Sequence, residues 1–167
     1  MELEEIVEKA RKLVEEGREL EKYARKMAID RDVLVRDDDA RWFSKVADLS
    51  FRLRELFEEA GKKVGDEYNA WASFADRLEE AAADIERDAR TCVEREGRDC
   101  CKVAITIRKA NEVYELATGK REKRCTCLLD DVVGYRRYSL SDAALDMLFC
   151  LDAALSAAEG LAKKLSK

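Results

Sequence analysis

The chain has 167 residues, 47% of them hydrophobic and 41% charged, with a formal net charge of −5. That length supports one domain with a sizeable core, and the balance is that of a folded chain with a heavily charged surface, not of a disordered one. No stretch approaches the roughly 18 uninterrupted apolar residues of a membrane span, and the acidic excess argues against nonspecific nucleic-acid binding, which needs Lys and Arg concentrated on one face. The opening Met1-Glu2-Leu3-Glu4-Glu5 is acidic and periodic, unlike a secretory leader or an arginine-rich transit segment. The expectation is a soluble chain with no membrane span, its compartment open.

The apolar positions step by three and four, the spacing of helices packed on helices. The first predicted helix carries Leu3, Ile6, Ala10, Leu13, Gly17, Leu20, Ala24 and Met27, widened by Val7 and Val14, and ends near Ile29. Residues 30–39 read as a connection whose Asp37-Asp38-Asp39 caps the next helix. That second helix carries Trp42, Val46, Leu49, Leu53, Leu56 and Ala60, with Phe43 and Phe57 beside them, and stops at Gly61 and Gly65. Asp66 can cap the third, whose stripe is Tyr68, Trp71, Ala75, Leu78, Ala82, Ile85, Ala89 and Cys92, with Phe74 and Ala81 alongside, up to Gly97.

A fourth helix is expected from Cys100 to Gly119 with Val103, Ile107, Ala110, Tyr114 and Ala117 inward. Its run Val103 to Ile107 is β-prone but short and framed by helical spacing. A fifth is expected over Lys123 to Tyr138. The last, capped by Ser141 or Asp142, has two apolar seams: Ala144, Leu148, Leu151, Leu155, Ala158, Ala162 and Leu165, and Met147, Cys150, Ala154, Ala157 and Leu161. Two seams place it near the centre. The expected fold is all-α, an antiparallel bundle of five to six helices around one core, a single domain over 1–167.

Six cysteines admit three readings. As disulfides, Cys92 and Cys100 face each other across the turn at Gly97, and Cys127 and Cys150 across the turn near residue 140. Cys101 and Cys125 then sit at opposite ends of the fourth helix, roughly 25–30 Å apart at 1.5 Å per residue, beyond the 7 Å or so of a disulfide. They are candidates for free or metal-binding thiols. As a thiolate metal site, Cys-Cys and Cys-x-Cys could hold a soft metal, but no paired Cys-x-x-Cys and no His are present. Lastly, some are small buried apolar residues. The order Cys, Cys-Cys, Cys-x-Cys, Cys over Cys92 to Cys150 resembles the inner part of the eight-cysteine pattern of plant lipid-transfer proteins and seed albumins. That resemblance would imply a small lipid-binding helical domain. The outer two cysteines and any counterpart of the first 90 residues are missing, and the reading is not adopted.

Other chemistry is thin. Without His there is no Ser-His-Asp triad, no Cys-His pair and no usual carboxylate-and-His dimetal site. Thr118-Gly119-Lys120 lacks the rest of a phosphate loop. Asp37 to Asp39 and Asp130-Asp131 could hold a hard cation, but adjacent Asp residues diverge on a helix, and the first group suits a helix N-terminus. Asp146 and Asp152 are expected to pair with Arg136 or Arg137. The basic run Lys120, Arg121, Lys123 and Arg124, and the mixed Tyr135, Arg136, Arg137 and Tyr138, are the candidate contact surface for a protein partner. Trp42, Phe43, Trp71 and Phe74 are expected in the core.

Pro, His and Gln are all absent. At an average Pro usage of roughly 5%, a chain this long lacks Pro by chance about twice in ten thousand. The ends, 1–28 and 153–167, are strong helix formers in regular order, while 30–40 and 92–142 are irregular. In this the chain resembles a de novo designed helical bundle. The resemblance implies a non-enzymatic scaffold or protein-binding module without cofactor or resident metal, its contact surface in the irregular middle. The alternatives are a thermophile subunit of a larger complex and a thiolate metal-binding or redox protein. Intact mass with thiol counting, on protein purified without reductant, is expected to show four to six thiols lost and restored by reduction. Six free thiols with an added metal mass would instead make the cysteines the functional site.

Overall fold

Regular runs of Ala, Leu, Glu, Lys and Arg at helical spacing make the long elements of this chain. The computed structural model describes residues 2–29, 37–96, 102–106 and 135–166, and the side chains of 2–23, 40–87, 90 and 147–166. Four long helices dominate: α1 (Leu3–Ile29), α2 (Asp37–Lys63), α3 (Glu67–Glu96) and α4 (Leu140–Leu165). The class is all-α. Glu4 and Glu5 in the first turn of α1, and Lys62, Lys63, Lys163 and Lys164 in the last turns of α2 and α4, match the helix dipole. Residues 37–39 form the first turn of α2 instead of preceding it.

The connection from α2 to α3 is tight. The Gly65 amide turns back to donate to the Ala60 carbonyl at 3.1 Å, and Val64 donates to the same oxygen at 2.8 Å. The Asn69 side chain of α3 lies against Gly61 and would have to turn aside to admit a Cβ there.

Two expected helices are corrected. Residues Lys102–Thr106 form strand β1 and Tyr135–Ser139 form strand β2. They pair antiparallel, from Lys102 opposite Ser139 to Thr106 opposite Tyr135. The start of the expected fourth helix and the end of the expected fifth are therefore extended, and the rest of both spans lies outside the described residues. The reason is pairing. Val103, Ile105 and Thr106 are β-branched, and Tyr135 and Tyr138 are aromatic. Each run is too short to signal a strand alone, but the partner, distant in sequence, supplies the ladder.

A continuous apolar cluster joins all four helices: Ile6, Ala10 and Leu13 from α1, Leu49, Leu53, Leu56, Phe57 and Ala60 from α2, Tyr68, Ala72 and Ala75 from α3, and Leu151 to Ala162 from α4. Most described residues of both expected seams of α4 are buried, with Met147, Cys150, Ala154 and Leu161 on one and Leu151, Leu155 and Ala158 on the other all at 0% exposure, whereas Ala157 and Leu165 are half-buried. This helix touches each of the other three, the central position that its pattern implied. Trp42 and Phe43 are buried as expected, whereas Trp71 and Phe74 are only half-buried against the edge of the core, and Leu3 is 47% exposed. Trp42 carries its polar atom inward and satisfies it: Nε1 donates to the Leu20 carbonyl at 2.8 Å, tying α2 to α1.

Phe57 is the hinge of the α2–α3 packing, stacked on Tyr68 at a ring separation of 6.3 Å and tilted against Trp71 at 6.2 Å. Truncation of a fully buried Phe costs about 3–5 kcal/mol. Phe57→Ala is expected to lower the thermal midpoint by about 6–20 °C, measured by circular dichroism.

Candidate functional site

The sequence candidates separate when placed on the fold. Cys92 lies in α3, and Cys150 is fully buried in α4 beside Met147, Leu151 and Ala154. Cys100, Cys101, Cys125 and Cys127 lie outside the described residues, as do Lys120, Arg121, Lys123 and Arg124. No disulfide occurs among the described residues. Within the helix expected from Cys100, residues Lys102–Thr106 run as a strand, and the rest of that span lies outside the described residues. Both candidate pairs, Cys92 with Cys100 and Cys127 with Cys150, and the candidate free thiols Cys101 and Cys125, involve residues outside the described ones. Tyr135, Arg136, Arg137 and Tyr138 are consecutive residues of β2, which leads directly into α4.

Asp152 has a partner on α1 that the sequence did not suggest, while the side chains of the expected partners Arg136 and Arg137 lie outside the described ones. Because α4 packs along α1, the Asp152 carboxylate meets Arg18: Arg18 Nη1 donates to Asp152 Oδ1 at 2.5 Å. The same nitrogen donates to Glu21 Oε1 at 2.5 Å, and Nη2 donates to Glu159 Oε1 at 3.0 Å. One guanidinium therefore holds three carboxylates, and the Glu21 residue is only 3% exposed. Burial works against the charge on Arg18, but hydrogen bonds to Asp152, Glu21 and Glu159 outweigh it and hold its pKa above the ordinary arginine value. Its chemistry is cohesion between helices, since a guanidinium so saturated has little to offer a ligand.

Comparable pairs span the other helix contacts. Arg52 of α2 donates to Glu16 of α1 at 2.5 Å, Arg54 of α2 to Asp76 of α3 at 2.6 Å, and Lys164 of α4 to Glu67 of α3 at 3.2 Å. Each is exposed to solvent, so screening leaves it a weak contribution to stability. Beside Arg54 sits Glu79, whose Oε2 is 3.9 Å from Arg54 Nη1 and accepts no hydrogen bond among the described residues. Desolvation raises the Glu79 pKa, the nearby Arg54 pulls it back, and Asp76 pushes it up again, leaving it above the ordinary value.

Among the described residues no group of His, Cys, Asp and Glu is arranged to hold a metal ion, and no helix is long and apolar enough to cross a membrane. Two open hollows follow the α1–α4 seam. One, of about 600 Å³, is lined by Leu3, Glu4, Val7, Glu8, Arg11, Leu165 and Ser166, and the other, of about 190 Å³, by Arg11, Val14, Glu159, Ala162 and Lys163. Their apolar floor is the shoulder of the core, and Arg11 bridges the seam by donating to Ser166 Oγ at 2.9 Å.

Sequence reasoning missed Arg18, Glu21 and Phe149. Phe149 is 57% exposed on α4. The signal was present: it is an aromatic residue falling on neither seam. For Arg18 and Glu21, the clue was a polar i,i+3 pair immediately beside a stripe Gly. Comparison of the chain with known protein families, with curated proteins and with solved structures returned no match.

The raised pKa of Glu79 fixes the sign of its pH effect. A carboxyl that binds its proton more tightly folded than unfolded disfavours the native state once ionised, so stability falls as pH rises from the unfolded to the folded pKa. Glu79→Gln is expected to stabilise the protein at neutral pH, by less than about 1 kcal/mol at this partly exposed site. The advantage should shrink as pH falls through the glutamate range, measured by urea unfolding at several pH values.

Proposed function

We propose that the chain is a non-enzymatic helical scaffold, a single-domain antiparallel four-helix bundle that presents its irregular middle segment to a protein partner. One observation carries this reading. The four helices share a continuous core, while the long connection between α3 and α4 is pinched at its base by the β1–β2 ladder, with Thr106 opposite Tyr135 as the last pair. Residues 107–134 therefore leave and re-enter at a single point, as an insertion on a scaffold does. Tyr135, Arg136, Arg137 and Tyr138 belong to that base, and this mixture of aromatic and cationic residues suits an interface.

The antiparallel arrangement is supported by contacts that climb one helix while descending the next: Arg11 with Ser166 and Arg18 with Glu159 between α1 and α4, Gly61 with Asn69 and Arg54 with Asp76 between α2 and α3. In such a bundle the end of α1, the start of α2, the end of α3 and the start of α4 share one end. The helix ends that the two irregular connections join therefore lie together, near exposed Phe149 of α4. The resemblance to a designed bundle belongs to the same reading, supported by the regular termini and the absence of Pro, His and Gln. A second reading, a thermophile subunit of a larger complex, is favoured by the ion pairs across successive helix contacts, since such networks gain value as temperature rises.

Replacing residues 107–134 by Asn-Gly, which closes a two-residue hairpin between Thr106 and Tyr135, is the test. The shortened protein is expected to keep its helical circular dichroism and to unfold within about 1 kcal/mol of the parent by urea titration, the scale of an ordinary surface change. Collapse of the helical signal would make the segment part of the core and overturn the scaffold reading.

A further inference from the structure

The geometry points to a register lock between α1 and α4, built from Gly17, Arg18, Asp152, Leu155 and Glu159, that holds the two helices at one height. Two independent observations meet there. The first is steric. A Cβ on Gly17 would lie 2.5 Å from Leu155 Cδ1 and 3.0 Å from its Cγ, so a side chain at 17 would force Leu155 out of its present position. The second is electrostatic. The next residue, Arg18, reaches both Asp152 and Glu159, which bracket Leu155 three residues before and four after.

The pattern is unique along α4: no other leucine there has a carboxylate at both of those spacings. A slip by one heptad moves one helix about 10.5 Å along the other. In one direction Leu155 would face Ala10 and Arg18 would meet Leu145 and Asp152. In the other, Leu155 would face Ala24 and Arg18 would meet Glu159 and Ser166. Either slip drives Leu155 onto a Cβ and leaves Arg18 with one of its two α4 carboxylates. The repeating small residues of α1, Ala10, Gly17 and Ala24, otherwise make these alignments close competitors, which is where a polar device specifies what packing alone leaves degenerate. Glu21, buried and bonded to Arg18 Nη1, keeps the guanidinium aimed. The lock goes beyond the scaffold reading and stands whatever the contact end binds.

The test is amide-resolved nuclear magnetic resonance of the full chain carrying Arg18→Met, Leu155→Ala, or both. The double variant is expected to remain helical but to show at least two sets of resonances for α1 and α4, each populated above about a tenth. Nuclear Overhauser contacts from Gly17 should reach more than one turn of α4. Arg52→Met, which breaks the α1–α2 pair, is expected to keep one set. A single set in the double variant, with Gly17 still against position 155, overturns the proposal. If the double variant does not fold, one unchanged set in both single variants overturns it equally.

Discussion

The structure depends on the two-sided burial of α4. Three of the helices are charged amphipathic rods with one apolar stripe, and three such rods leave a trough that water would enter. The fourth carries Leu, Ala, Met and Cys on two adjacent seams and closes that trough, with most of its inward residues at zero exposure. Small side chains matter as much as large ones here. Ala154, Ala158 and Ala162 let neighbouring backbones come close, while Leu151, Leu155 and Leu161 fill the space between. Fully burying each such leucine is worth about 1.5–3 kcal/mol, so this one helix supplies a large part of the driving force.

Charge works at a different level. The exposed pairs between helices add little to stability individually, and buried Glu21, paired with the partly exposed Arg18, has a desolvation penalty to set against its attraction. What these groups supply is direction. Apolar stripes attract one another at many heights, whereas a guanidinium with three defined carboxylates is satisfied at one. The fold thus draws affinity from its core and alignment from its rim.

The helices were legible because their signal is local and repeated. Ile6, Ala10 and Leu13, or Leu49, Leu53 and Leu56, announce an inward face by spacing alone, and the double seam of α4 announced its central place. The ribbon was illegible for the opposite reason. Val103 to Thr106 has β character, but a strand of this length is decided by its partner, and Tyr135 to Ser139 lies far along the chain. The cross-helix pairs were illegible too: the charge pattern showed that Asp152 needed a cation, but only helix placement brings Arg18 to it. Of the candidate contact surface, Tyr135 to Tyr138 gained a defined place in β2, while the basic run at residues 120–124 and most cysteines fall outside the described residues.

The late position of α4 in the chain has a consequence for biogenesis. A ribosome makes α1, α2 and α3 first, and neighbouring helices can pair through short connections as they emerge. The long connection, residues 97–139, must be synthesised before the closing helix exists, and α4 follows only after it. For that interval the nascent protein displays the apolar residues that α4 later covers, Ile6, Ala10 and Leu13 of α1 and Tyr68, Ala72 and Ala75 of α3 among them. Dense charge on the outer faces of α1 to α3 is the feature that favours solubility of such an intermediate until α4 emerges.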